Sequence, residues 1–163
     1  VAQQYGRIVM TTSSTGLYGN FGQSNYGAAK LALAGLMQTL ALEGAKHGIR
    51  VNGLAPTAAT RMTEGLLPQE VMDLIKPEAV VPAMLVLASE QAPTRTILCA
   101  GAGTYEAAHI TLSHGVHLGL TPDTPERLLA ALDQVTALEG ASVPGSGGDQ
   151  GRNEVELALA ARR

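Results

Sequence analysis

Tyr26 and Lys30 stand four residues apart in a run rich in Ala and Leu, so on a helix they share one face, one turn from each other. Ser13 lies thirteen residues before Tyr26, at the end of Arg7-Ile8-Val9-Met10-Thr11-Thr12-Ser13, a β-branched and apolar run that reads as a strand buried on both faces. A phenol, an ammonium and a hydroxyl brought together make a proton-transfer site. A free phenol holds its proton to about pH 10, and an ammonium about 5 Å away supplies roughly 3 kcal/mol toward the anion at an effective dielectric near 20. In such a site Tyr26 gives or takes the proton of a carbonyl or alcohol oxygen while a hydride moves at carbon. Ser13 hydrogen-bonds the same oxygen as its charge develops. Ser13 as a nucleophile is the weaker alternative, because no Gly-x-Ser-x-Gly elbow occurs and no His or Asp is placed to serve it.

The elements that must hold these groups alternate in a way that defines the fold class. After the first strand, Gly16, Gly19 and Gly22 punctuate a loop that can approach a ligand closely. A long helix is expected over residues 24–46, closed by His47-Gly48, with Leu31, Leu33, Leu36, Met37, Leu40 and Leu42 spread around its circumference, so that it is buried on two sides. Residues 49–55 form the second strand, ended by Pro56, and strand, helix and strand together make a parallel βαβ unit. Ser13 and Tyr26 then flank the crevice at the carboxyl ends of the strands, where open α/β sheets bind ligands. Residues 60–76 read as a mobile lid with a short helix, 77–89 as a helix and 96–100 as a third strand ended by Gly101-Ala102-Gly103. Beyond about Tyr105 the character changes: a helix over 125–138, a Gly-rich flexible joint at 145–151 and an amphipathic helix over 153–162.

Composition narrows the class of function. The 163 residues are 45% apolar and 15% charged with a net charge of −3, which suits a globular domain and gives neither nucleic acid nor a membrane a basic surface to grip. The most apolar window, 79–88, is short and carries Pro82, so it is not a membrane span. The single cysteine, Cys99, forms no internal disulfide and reads as a small core residue in a reducing, cytoplasmic setting. His109, His114 and His117 fit no common ligand spacing, and no metal site is expected.

Ser13-Ser14-Thr15-Gly16, Gly19, Tyr26-Gly27-Ala28-Ala29-Lys30 and Val51-Asn52-Gly53-Leu54-Ala55-Pro56 together resemble the second half of a short-chain dehydrogenase/reductase. More narrowly, residues 18–26 and Thr60-Arg61-Met62-Thr63 resemble the (3R)-hydroxyacyl-CoA dehydrogenase modules of peroxisomal multifunctional enzymes and their bacterial relatives. The resemblance implies a partial Rossmann-type doubly wound α/β fold, its last three parallel strands with flanking helices. It implies Ser13, Tyr26 and Lys30 as catalytic residues. It also implies NAD or NADP as cofactor, bound by Tyr26, Lys30, Pro56, Thr57, Ala59 and Thr60, and a substrate bound by Ser13, Thr15, Tyr18 and Phe21 beneath residues 61–76. The family's usual Gly after the proline is Thr57 here, and the Thr expected five residues after Pro56 is Arg61.

By the same resemblance the chain begins at the fifth of seven strands, and the Gly-rich pyrophosphate turn, the adenosine pocket and an Asn of the active site would lie upstream. Residues 1–104 are then the carboxyl-terminal half of a catalytic domain, and 105–163 a mostly helical extension. The expected activity is interconversion of a secondary alcohol and a ketone, most simply a 3-hydroxyacyl-CoA, in a full-length homodimer or homotetramer joined through the long helix. These 163 residues alone are expected to bind dinucleotide weakly, to fold marginally and to be inactive. The rival reading is a non-catalytic remnant or interaction module that kept the scaffold.

Overall fold

The computed structural model describes residues 1–60, 65 and 67–162. They form two compact units, Val1–Ala108 and His109–Arg163. In the first, strand β1 (Gly6–Thr11) leads into a short helix α1 (Ser14–Tyr18) and then the long helix α2 (Ser24–Gly44). A 3-10 turn, Ala45–His47, closes α2 at Gly48, whose φ of 65° gives the left-handed cap that the His-Gly pair predicts. Strand β2 (Ile49–Pro56), helices α3 (Gln69–Leu74) and α4 (Val81–Ala88, preceded by the turn Pro77–Val80), and strands β3 (Ile97–Gly101) and β4 (Thr104–Ala108) follow.

The sheet has the order β1-β2-β3-β4, with the first three strands parallel and β4 antiparallel to β3. Side chains alternate across it with the period of two that strands impose. Val51 and Ile97 face α2, where they pack with Ala34, Met37 and Ala41; Leu54 and Ala100 face the other way, onto Ala83 and Leu87 of α4. Helices therefore cover both faces, the doubly wound α/β arrangement that the strand-helix-strand order implies.

Three features depart from the sequence expectation. The strand β4 is additional, joined to β3 by the two-residue loop Ala102-Gly103 with φ of 50° and 75°, a turn whose twist suits a hairpin. β1 is not buried on both faces: it is an edge strand with β2 as its only neighbour among the described residues, and Ile8 is 40% exposed. α2 buries Ala34, Met37, Ala41 and Gly44 on the sheet side, while Leu31, Leu36 and Leu42 remain nearly half exposed on other faces.

Polar ties stitch the sheet to its loops. The Arg7 guanidinium donates to four carbonyls, those of Gly6, Gly48, Ser89 and Glu90, and stacks 4.3 Å from the Tyr5 ring centroid. Asn52, fully buried in β2, donates from Nδ2 to the Pro93 carbonyl at 2.7 Å and accepts the Thr96 N–H at 3.1 Å, which fixes the loop that enters β3.

The second unit contains helices α5 (Thr124–Ala130), α6 (Leu132–Val135) and α7 (Gly148–Ala160), and an antiparallel bridge between Leu112 and Ser142. The segment expected as a flexible joint is largely helical, since α7 begins at Gly148. The Asp149 carboxylate accepts the N–H groups of Gly145 and Ser146 and pairs with Arg152 at 3.1 Å. Those bonds organise the turn before the helix and hold the carboxyl below its usual range, with the Gly145 amide the largest cause.

Candidate active site

The carboxyl ends of β1 and β2 form the floor of the site. The β1–β2 ladder continues one residue past Thr11, because the Thr12 N–H donates to the Leu54 carbonyl at 2.8 Å. Ser13 then turns the chain into α1 as its N-cap, with its side chain accepting the Thr15 N–H at 3.2 Å. A serine hydroxyl has two acceptor lone pairs and one proton, so this bond leaves the proton free for a substrate oxygen.

Tyr26 and Lys30 stand on the first two turns of α2. The Lys30 ammonium sits 5.7 Å from the Tyr26 ring centroid and donates to the Thr11 carbonyl at 2.9 Å. Tyr26 is 42% exposed. What brings Ser13 near this pair is backbone contact between α1 and α2. A Cβ at Gly16 would stand 2.8 Å from Lys30 Cβ, and one at Gly27 would stand 3.3 Å from the Thr15 carbonyl. The two helices meet at a distance that only glycine allows at position 16.

The remaining candidates divide. Thr15 is 9% exposed and its hydroxyl donates to Gln23 Oε1 at 2.9 Å, so its place is in the frame that carries the loop, not on the open surface. Gln23 Oε1 also accepts from Asn20 at 3.3 Å and thereby shapes the turn that carries Phe21, which is fully exposed. The Tyr18 ring is 71% exposed, and its phenol is raised above the ordinary range by desolvation and then by Cys99 and Glu106 beside it. Burial pushes the Cys99 thiol up in turn, against a partly compensating hydrogen bond with Tyr18.

Beyond β2, the Thr57 N–H donates to the Ala100 carbonyl at 2.8 Å and the Ala59 N–H donates to the Ile75 carbonyl at 2.6 Å. Pro56 and Ala59 are half-buried, while Thr57 and Thr60 are exposed at the same edge of the sheet as Ser13. Gly101 is what accommodates a Thr at position 57, since a Cβ there would stand 2.7 Å from the Thr57 Cβ. Arg61, Met62, Thr63, Glu64 and Leu66 of the expected lid lie outside the described residues. Three residues that frame the site have no site role in the sequence reading: Thr12, and Gln23 and Asn52, which lie inside the segments that carry the resemblance. For Asn52 its fixed distance from Pro56 was the available signal.

Residues 1–70 match the short chain dehydrogenase family. A short-chain type dehydrogenase/reductase of Mycobacterium tuberculosis is 44% identical over 144 residues, 88% of this chain and 50% of that protein. Peroxisomal multifunctional enzyme type 2 of Mus musculus is 54% identical over 88 residues, 54% of this chain and 12% of that protein. Among solved structures, full-length peroxisomal multifunctional enzyme type 2 from Drosophila melanogaster superposes with a TM-score of 0.83 at 33% identity, over 97% of this chain and 30% of that one. The chain thus spans half the length of the mycobacterial relative and a smaller share of the others. A doubly wound sheet, a Tyr-x-x-x-Lys turn beside a serine-capped strand end, and these matches together place the chain in the short-chain dehydrogenase/reductase family.

Proposed function

We propose that the protein is an NAD(P)-dependent oxidoreductase that interconverts a secondary alcohol and a ketone, with a 3-hydroxyacyl-CoA as substrate class. The observation that carries the proposal is the Lys30 ammonium, 5.7 Å from the Tyr26 ring and held by the carbonyl of Thr11, two residues along the chain from Ser13, whose hydroxyl accepts the Thr15 N–H. Tyr26 moves the proton at the substrate oxygen. Lys30 stabilises negative charge as it develops on the phenolic oxygen, and Ser13 donates to the substrate oxygen and orients it. A relative named (3R)-3-hydroxyacyl-CoA dehydrogenase, from Canis lupus familiaris and 39% identical over 95 residues, supports the acyl thioester as substrate, and the exposed Phe21 and Tyr18 rings offer an apolar surface for its chain.

The residues present fit the nicotinamide end of the cofactor. An ammonium has three N–H donors; one goes to Thr11, leaving the others for ribose hydroxyls. The Pro56-Thr57 strand end, Ala59 and Thr60 would border the ring at the same crevice. When bound, the nicotinamide supplies or accepts the hydride at the substrate carbon. The nearly half-exposed Leu31, Leu36 and Leu42 of α2 support self-association through that helix as part of the proposal.

The test is NAD- and NADP-linked oxidation of a 3-hydroxyacyl-CoA by the full-length protein and its Tyr26→Phe variant. Removing the acid/base lowers kcat by about 10²- to 10⁴-fold with the melting curve retained. Undiminished turnover in Tyr26→Phe of the full-length protein refutes the assignment, and no turnover by the full-length protein with either nucleotide favours the non-catalytic scaffold.

A further inference from the structure

We infer that Thr12 is a positioning residue for Lys30, an assignment that rests on the oxidoreductase reading of the site. Thr11, the last residue of β1, and Thr12 directly after it hold opposite ends of this one lysine. The Thr12 hydroxyl, on a residue 2% exposed, donates to the Lys30 main-chain carbonyl at 2.8 Å, and the Thr11 carbonyl accepts the Lys30 ammonium at 2.9 Å. Thr12 is itself fixed, since its N–H bonds the Leu54 carbonyl of β2 at 2.8 Å. The chain of bonds runs from the central strand to the helix turn that carries Lys30.

A hydroxyl here is not needed to keep α2 on the sheet. Ala34, Met37 and Ala41 anchor the helix further along, packed on Val51 and Ile97. The first two turns rest on α1, with Gly16 against Lys30 and Gly27 against Thr15, and the Thr12 hydroxyl adds the side-chain hydrogen bond that ties Lys30 to the end of β1. The Lys30 carbonyl also has a helical N–H to accept, because a carbonyl carries two lone pairs and the i+4 amide takes one. Replacing Thr12 by Val, nearly the same shape, thus leaves no orphaned acceptor. What it removes is the strut that sets where the Lys30 side chain starts, while Thr11 still pulls its far end. The ammonium then samples positions that Tyr26 cannot use.

Two readouts test this in the full-length protein with Thr12→Val and Thr12→Ser. The first needs no nucleotide: competitive acetylation of lysines read by mass spectrometry. In the wild type Lys30 reacts more slowly than the exposed Lys46 and Lys76. Thr12→Val raises the Lys30 rate several-fold, and Thr12→Ser, which keeps the hydroxyl, retains the wild-type rate. The second is turnover, where Thr12→Val lowers kcat about tenfold with KM little changed, as expected of a misplaced group, and Thr12→Ser restores it. Unchanged Lys30 acetylation and kcat in Thr12→Val overturn the inference, as does loss of both in Thr12→Ser. Should Thr12→Val fail to fold, the wild-type footprint and Thr12→Ser still decide: a Lys30 as reactive as Lys46 overturns it. Full turnover in Tyr26→Phe, with the footprint as expected, defeats the oxidoreductase reading and leaves the Thr12 strut standing.

Discussion

A single methyl group added at two glycines is expected to shift stability in opposite directions. At Gly16 an added Cβ would lie 2.8 Å from Lys30 Cβ, 2.9 Å from the Leu31 nitrogen and 2.9 Å from the Lys30 carbonyl carbon. Comfortable contacts of this type begin near 3.5 Å, and two of the three obstacles are helix backbone that cannot rotate aside. Overpacking of this kind costs about 1–3 kcal/mol, against which the helix preference of Ala over Gly returns at most about 1 kcal/mol. Gly16→Ala therefore destabilises by about 1–2 kcal/mol. Gly35, exposed in the middle of α2, has nothing within 4 Å of the same position. Gly35→Ala gains about 0.5–1 kcal/mol from the entropy a glycine loses in a helix. Urea unfolding of both variants beside the wild type reads the difference. Each kcal/mol moves the melting temperature by about 2–4 °C in a chain of this size. The reasoning is refuted if Gly16→Ala is as stable as Gly35→Ala, which would mean that α1 and α2 do not touch at Lys30.

Asn52→Ala strips two bonds from a buried site and leaves the Pro93 carbonyl and the Thr96 N–H without their partner, for a loss of about 2–4 kcal/mol in the same unfolding experiment. Because burial raises the Cys99 thiol above its usual 9.0, little of it is thiolate at pH 8. Iodoacetamide should alkylate it more slowly than free cysteine, with a rate midpoint above pH 9, and a midpoint at or below the usual value contradicts the burial of Cys99 in β3. The Asp149 carboxyl is depressed below 3.8, so its support of the turn before α7 is complete above that pH and disappears as the pH falls through the lowered value. The amide proton shifts of Gly145 and Ser146 should report that midpoint and lose the transition in Asp149→Asn; a midpoint of 3.8 or higher is inconsistent with the bonds described.

The central βαβ unit was legible because its signals are local. The Ile-Val-Met run, the Ala- and Leu-rich helix with its His-Gly stop and the Val-Asn-Gly-Leu-Ala-Pro strand each announce their own geometry. The Tyr26–Lys30 pair was legible for the same reason, since a helix fixes the relation between positions four apart. The hairpin to β4 was not, because Ala102 occupies a left-handed loop position where Asn, Asp or Gly would signal the turn. Nor was the helix through Gly148 and Gly151 visible: glycine argues against a helix, and the order of its first turn rests on the Asp149 bonds to residues four and three positions earlier. Burial misled for β1 and α2 because an apolar side chain states a preference and does not name its neighbour. The Thr12 strut joins residues eighteen apart, and no periodicity encodes such a contact.

The open flank of β1 has a practical bearing on work with the protein. Among the described residues, alternate amides and carbonyls along Gly6–Thr11 point away from β2 with no strand paired to them, so the ladder has room for one more strand on that side. Where that side carries no strand, two copies can meet through it, and protein concentration then bears on any stability measured for these 163 residues.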